Sequence, residues 1–301
     1  MIRSATVFLL ATSAVYAQDG LLDVYDGETL WQGGIQVSGG WFFRQESLPL
    51  EGDSRRNDPE DRTFREHRAT LAASYGVLPQ LSICGVVPWI HRERAREDAS
   101  GTRRETAEGL GDLAIMAKYR VWKRDAHLFS FNWTLFAGAE IPTGDTGERE
   151  GGKRLSPQLQ PGSGSWDVIA ATAVTLDVDR LKINAVIRGV RNGTGAQDYK
   201  EGDALTGELT VGYRVIVEKY PGPLLRLQAC LKWTHRFRAR QDGDRLRDSG
   251  GDALFLRPAA VFWPRPWLGF VLEGEIPLYQ DVGGRQLGLD FAVSISVSVR
   301  F

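Results

Sequence analysis

The sequence has two cysteines, Cys84 and Cys230, and four histidines, His67, His91, His127 and His235, in 301 residues. So few thiols exclude a disulfide-stapled scaffold, and no Cys/His cluster has metal-ligand spacing. The 37 basic residues nearly cancel the 38 acidic ones, so the basic surplus of a nucleic-acid binder is missing. After Ala17 no run approaches the 18 or so apolar residues of a membrane helix. There is no GxSxG elbow. The Gly-rich "GLGD" (109–112) and "PGSGSW" (161–166) do not open a helix after a strand, so a phosphate loop is unsupported. These absences predict a non-enzyme with no catalytic residue, metal, cofactor or nucleic-acid partner.

What is present begins with a targeting segment. Arg3 precedes the apolar "ATVFLLATSAV", and Val15-Tyr16-Ala17 puts small residues where a signal peptidase reads them. Residues 1–17 therefore read as a cleaved signal peptide. Residues 18–32 read as a periplasmic tail or a plug, and 33–301 as one domain.

That domain alternates. Its closing stretch "DFAVSISVSVRF" places Phe291, Val293, Ile295, Val297, Val299 and Phe301 on one face and small or polar residues on the other. The same two-residue period recurs in "RATLAASY", "DLAIMAKYRV", "FSFNWTLFAGAEI", "RLKINAVIRG" and "LLRLQACLKW". Twelve such segments are counted: 33–45, 65–76, 80–91, 109–121, 127–141, 165–176, 180–192, 205–217, 223–236, 252–262, 267–278 and 286–301. Short turns such as "GVLP" and "KRDA" alternate with long polar connections, including 46–64, 92–108, 142–164 and 237–251.

Two-residue period, an even strand count and alternating loop lengths define an all-β fold: a closed antiparallel transmembrane β-barrel of about 12 strands with short periplasmic turns and longer extracellular loops. A closed sheet satisfies every backbone polar group in lipid without leaving an edge. The expected location is the outer membrane of a Gram-negative bacterium. Aromatics near strand ends suggest two interfacial girdles, Tyr75, Tyr119, Trp122, Tyr213, Trp263 and Trp267 below and Trp41, Trp89 and Tyr279 above.

If the apolar row meets lipid, the alternate row lines the lumen. It carries Arg44, Arg68, Lys118, Arg120, Lys182, Arg188, Arg214, Arg226, Lys232, Arg257 and Arg300, with Asp112, Glu140, Asp167, Glu208, Glu273, Glu275 and Asp290. Charge there must be hydrated or paired, and the surplus of bases predicts a weak anion preference. Cys84 and Cys230 fall on opposite walls, too far apart for a disulfide, so both are expected as free thiols. Phe301 is expected to serve as the assembly signal read by the barrel-assembly machinery. Outer-membrane lipid and a small-molecule solute complete the expected partners, and the protein is expected to be a monomer, its oligomeric state otherwise open.

The segments "GLGDLAIMAKYRVW" (109–122), "AEIPTGD" (139–145), "PGSGSWD" (161–167) and the closing "EIPLYQDVGGRQLG…VSVRF" resemble, in order, the MetA-pathway-of-phenol-degradation family of outer-membrane barrels. The resemblance implies a channel or transporter, associated in some members with aromatic or hydrophobic compounds. It brings no catalytic residues. The expected function is passive passage of small molecules through the barrel. Two other readings stay open. An outer-membrane enzyme of the phospholipase type needs a lipid-facing nucleophile, which is not found; the other is a structural barrel without transport.

Overall fold

The computed structural model describes residues 25–98 and 101–301. The expected signal peptide and residues 18–24 lie outside the described residues.

The chain forms strands β1 (Ile35–Gly52), β2 (Thr63–Leu78), β3 (Leu81–Asp98), β4 (Gly101–Leu110), β5 (Leu113–Ala126), β6 (Phe129–Ile141), β7 (Asp167–Val178), β8 (Leu181–Arg191), β9 (Ala204–Val217), β10 (Leu224–Arg236), β11 (Gly251–Arg265) and β12 (Leu268–Arg300). All pair antiparallel with their sequence neighbours, except that β4 and β5 follow one another along β3. The ring closes where β12 meets β1, from Gln36 opposite Arg300 to Gly52 opposite Val282. Eleven continuous elements make this ring, with β4 and the two-residue Ser54–Arg55 outside it. β12 is long enough to provide two walls: its first limb pairs with β11 and its second with β1. At the base of that hairpin the Arg300 amide donates to the Trp267 carbonyl at 2.8 Å. Counted as walls, the barrel has the twelve expected.

The burial alternation is inverted relative to a soluble protein. On β2 the apolar Leu71 is 59% exposed while Arg68, three residues away, is 1% exposed. Side chains of a strand leave the sheet on opposite faces, so one row meets the surroundings and the other fills the interior. Two-residue hairpins join most of the lower ends, and the six residues 218–223 join β9 to β10. Leu128 and Asp179 take positive φ in the two-residue turns, 54° and 49°, as tight turns between paired strands often need at one central residue.

Several outer segments expected as loops are strands. β3 and β4 extend the barrel wall through 92–98 and 101–108, and β1 continues to Gly52. A ladder needs only backbone donors and acceptors. Charged cross-strand pairs such as Arg94 with Glu105 support it above the apolar belt without leaving an apolar period in the sequence. One girdle residue is corrected: Trp263 is half-buried and turned inward, where the Arg300 guanidinium lies 4.3 Å from its ring centroid. Cys84 and Cys230 are both free and buried.

Candidate functional site: the barrel lumen

The interior is built in three levels. At the lower level, residues 25–31 occupy the lumen. Lys118 and Lys182 project inward from β5 and β8. Lys118 pairs with Asp26, and Lys182 reaches Asp26 at 4.0 Å and Glu28 at 3.3 Å. Lys182 first, and Lys118 after it, hold the Glu28 carboxyl down at about 2 against the opposing effect of burial. The Gly27 amide donates to Thr175 Oγ1 at 2.8 Å, and Thr134 Oγ1 donates to the Gly27 carbonyl at 2.6 Å. Gly27 lies so close to the wall that a Cβ would stand 2.9 Å from Thr175 Oγ1. Tyr25 packs against Phe136 at 5.5 Å between ring centroids, with the Arg188 guanidinium 4.8 Å from the Tyr25 ring.

The middle level consists of two ion-pair clusters. Glu66 on β2 is fully buried and paired with three arginines: Arg44 at 3.3 Å, Arg92 at 2.8 Å, and Arg68. Arg44 also reaches Glu46 at 3.1 Å. In the second cluster Arg257 pairs with Glu273, with Glu275 at 3.5 Å and with Glu208 at 3.5 Å, while Lys232 meets Glu275 at 3.1 Å. These are the compensated arrangements that buried charge requires.

At the upper level the connection between β6 and β7 folds inward. Its Leu155 and Leu159 are buried with Phe64, Ala107 and Leu287. Arg92 Nη1 donates to the Gln158 carbonyl at 3.3 Å and to that of Gln160 at 2.5 Å. Asp112 accepts from the amides of Gly144 and Ser163 at 2.9 and 2.6 Å. Gly162 sits so close to Gly144 that a Cβ would meet its carbonyl carbon at 2.5 Å. The Gly-rich segments are therefore packing points of an inserted loop. Beside this loop lies a small cavity bordered by Glu140, Asp167, Glu201, Arg68 and Arg92. In the loop 192–203, burial pushes the Glu201 carboxyl up to about 8.

The remaining expected lumen residues sit nearer the rims. Arg214 pairs with Asp177 and donates to the Asp179 carbonyl at 2.8 Å. Arg226 donates to Gln228 at 2.8 Å, Arg120 to the Pro79 carbonyl at 2.8 Å and Arg300 to Gln36 at 2.7 Å. Asp290 Oδ2 is buried without a hydrogen-bond partner. Phe301 exchanges both backbone bonds with Ile35, at 2.8 and 3.1 Å. Among the described residues no group of His, Cys, Asp and Glu is placed to hold a metal ion.

A family model described as "Putative MetA-pathway of phenol degradation" matches residues 79–295. The chain belongs to this family.

Among solved structures, this family member is similar to an outer membrane channel from Pseudomonas putida, with a TM-score of 0.69 at 14% identity, over 93% of this chain and 99% of that one. At that identity the likeness is one of fold. The β-domain of a Bordetella autotransporter (TM-score 0.45, 12% identity, 90% of this chain and 100% of that one) and the KdgM porin with oligogalacturonate (0.44, 10%, 88% and 99%) are more distant. No curated protein matches the sequence. The MetA-pathway chain is an outer-membrane β-barrel of the Gram-negative kind.

Sequence reasoning missed several residues of this lumen. Glu66 and Glu46 lie two residues from Arg68 and Arg44, on the same face by the two-residue period, so the signal was present. Arg92 lies just past the expected end of its strand. Asp26 and Glu28 precede any periodic segment, and nothing local marks them as lumen residues. With Asp26, Glu28, Glu46, Glu66 and Asp177 counted among the acids and Arg92 among the bases, the basic surplus behind the expected anion preference disappears.

Proposed function

We propose that the protein is a narrow outer-membrane channel for small solutes, obstructed from below by residues 25–31 and from above by the loop 142–166. One observation supports this best: a charged, cross-paired inward row inside a closed barrel whose outward row is apolar. Paired charges keep an interior wettable, whereas a purely structural barrel gains more from an apolar filling. The two inserted segments divide the lumen into cavities in place of one wide pore, so conductance through the intact protein is small.

The reading assigns no catalysis and no specific ion preference to the deep lumen, whose charges balance. Its test is single-channel recording in planar bilayers. The intact protein gives small steps, and deletion of residues 18–31 raises their size severalfold. A barrel that stays silent over many insertions, with and without the deletion, overturns the channel reading.

A further inference from the structure

We infer that the outer end of the lumen holds an entry site for a small carboxylate with an apolar tail. The inference rests on the channel reading and adds a substrate class to it.

Two cavities meet beside the upper part of β12. The outer one, of 450 Å³, is enclosed by the loops after β8 and β10 and is rich in base: Lys200, Arg236, Arg238, Arg240 and Arg245 border it. Of its three acids, Asp203 pairs with Lys200 at 3.5 Å and Asp252 lies 3.0 Å from His235 Nδ1, so that four arginines border the cavity with Asp252 and Asp281. Arg238, Arg240 and Arg245 are exposed on its rim. The inner cavity, of 80 Å³, shares Arg236, Gly251, Asp252, Asp281 and Val282 with the outer one and so lies directly beneath it.

The inner cavity is lined in part by apolar side chains and in part by Arg44, Glu46, Arg236, Asp252, Glu275 and Asp281. Phe42, Phe255, Leu289 and Ala292 form one buried cluster there. The backbone is irregular at the same height. The register shifts at Gln45/Glu46 and again at Leu254/Phe255. Four successive residues of β12, Gln286 to Leu289, are all buried. A regular strand would send alternate residues to the lipid; this irregularity buries Gln286 and Gly288 beside Leu287 and Leu289. Cations stand close to the two rings, Arg68 at 5.2 Å from Phe42 and Lys232 at 5.7 Å from Phe255. Of the acids that border the cavity, Glu46 pairs with Arg44 and Glu275 with Lys232, while Asp252 and Asp281 are shared with the outer basin.

Each half selects. A basin of one sign raises the local concentration and encounter rate of the opposite ion about tenfold or more at low salt. A cation is repelled there, and a neutral apolar solute gains nothing from the arginines. An anion without a tail leaves the apolar cluster unused. A solute with both parts places its carboxylate at the Arg236 level and its tail between Phe42, Phe255 and Leu289. The inner space is smaller than the roughly 150 Å³ that admits a benzene ring, so the tail is a short chain.

The probe is hexanoate, titrated by calorimetry into the full protein in lipid nanodiscs, with empty nanodiscs as the blank. Saturable binding is expected, at least tenfold tighter than for hexylamine or acetate. Phe255→Ala weakens hexanoate severalfold. Ala292→Leu, which fills the cavity and keeps the strand apolar, abolishes binding while the protein still shifts on heating in a gel. Replacing Arg238, Arg240 and Arg245 with Gln weakens binding and flattens its salt dependence. Equal binding of hexylamine, unchanged affinity in Ala292→Leu, or no saturable binding overturns the inference. Calorimetry needs no conductance: a conducting protein that ignores hexanoate sinks this inference alone, and a silent one that binds it sinks the channel.

Discussion

Glu140 stands directly opposite Asp167 across the ladder of β6 and β7, acid against acid. Glu140 is 1% exposed, and neither of its carboxyl oxygens has a hydrogen-bond partner, whereas Asp167 accepts from Ser165 Oγ at 2.7 Å and from the Gly193 amide at 2.8 Å. A buried polar group without a partner costs about 1–3 kcal/mol. Glu140→Gln keeps the shape and replaces an acid opposite Asp167 with an amide whose N–H can donate to it. It should raise the temperature at which the barrel unfolds in a heat-shift gel, by about 1 kcal/mol of stability. A lowered transition would mean that Glu140 is held by a contact its surroundings do not reveal.

Glu66 should behave in the opposite way. It is the shared partner of Arg44, Arg68 and Arg92, all buried. Removing one partner of a buried pair typically costs about 3–5 kcal/mol, because the remaining charge is stranded. Glu66→Ala is expected to fall in that range by denaturant titration. Arg92 also holds the inserted loop through Gln158 and Gln160, so protease nicking within 142–166 should increase in the same variant.

Acid should loosen the segment 25–31. The Glu28 carboxyl titrates at about 2 in the folded protein, against an ordinary 4.5. A lowered carboxyl contributes stability that is present above the ordinary value and is lost as pH falls from about 4.5 toward 2. Glu28 is 45% exposed, so screening reduces the effect. Conductance is expected to rise over that pH window in wild type and to change less in Lys182→Met. A conductance flat from pH 5 to pH 2.5 would dissociate this segment from the obstruction.

The chain end separates assembly from transport. We propose that Phe301, 69% exposed and bonded through its backbone to Ile35, is read during insertion. Its deletion should lower the amount in the outer membrane while the inserted fraction keeps wild-type heat resistance. Arg300→Ala removes the contacts with Gln36 and Trp263 on the inner side, and normal insertion is expected. Membrane abundance by immunoblot decides; the reverse pattern would refute the assignment.

The barrel was legible from residues alone because strand faces alternate with a period of two and a membrane inverts what each face must be. Leu71 against Arg68, or Ile295 against Ser294, announces inside and outside without any knowledge of neighbours. The free thiols followed from counting walls. The upper hairpin of β3 and β4 was not legible, since its ladder is held by backbone bonds and charged pairs that leave no apolar rhythm. Nor was the choice of partner. That Lys118 and Lys182 meet Asp26 and Glu28, that Arg92 holds Gln158 and Gln160, and that Phe42 meets Phe255 from the far side of β12 depend on which walls adjoin and on where two irregular segments enter the barrel. Periodicity acts between residues two apart. Closing the ring and inserting two segments brings together residues from tens to more than two hundred apart, and only the tertiary structure decides those meetings.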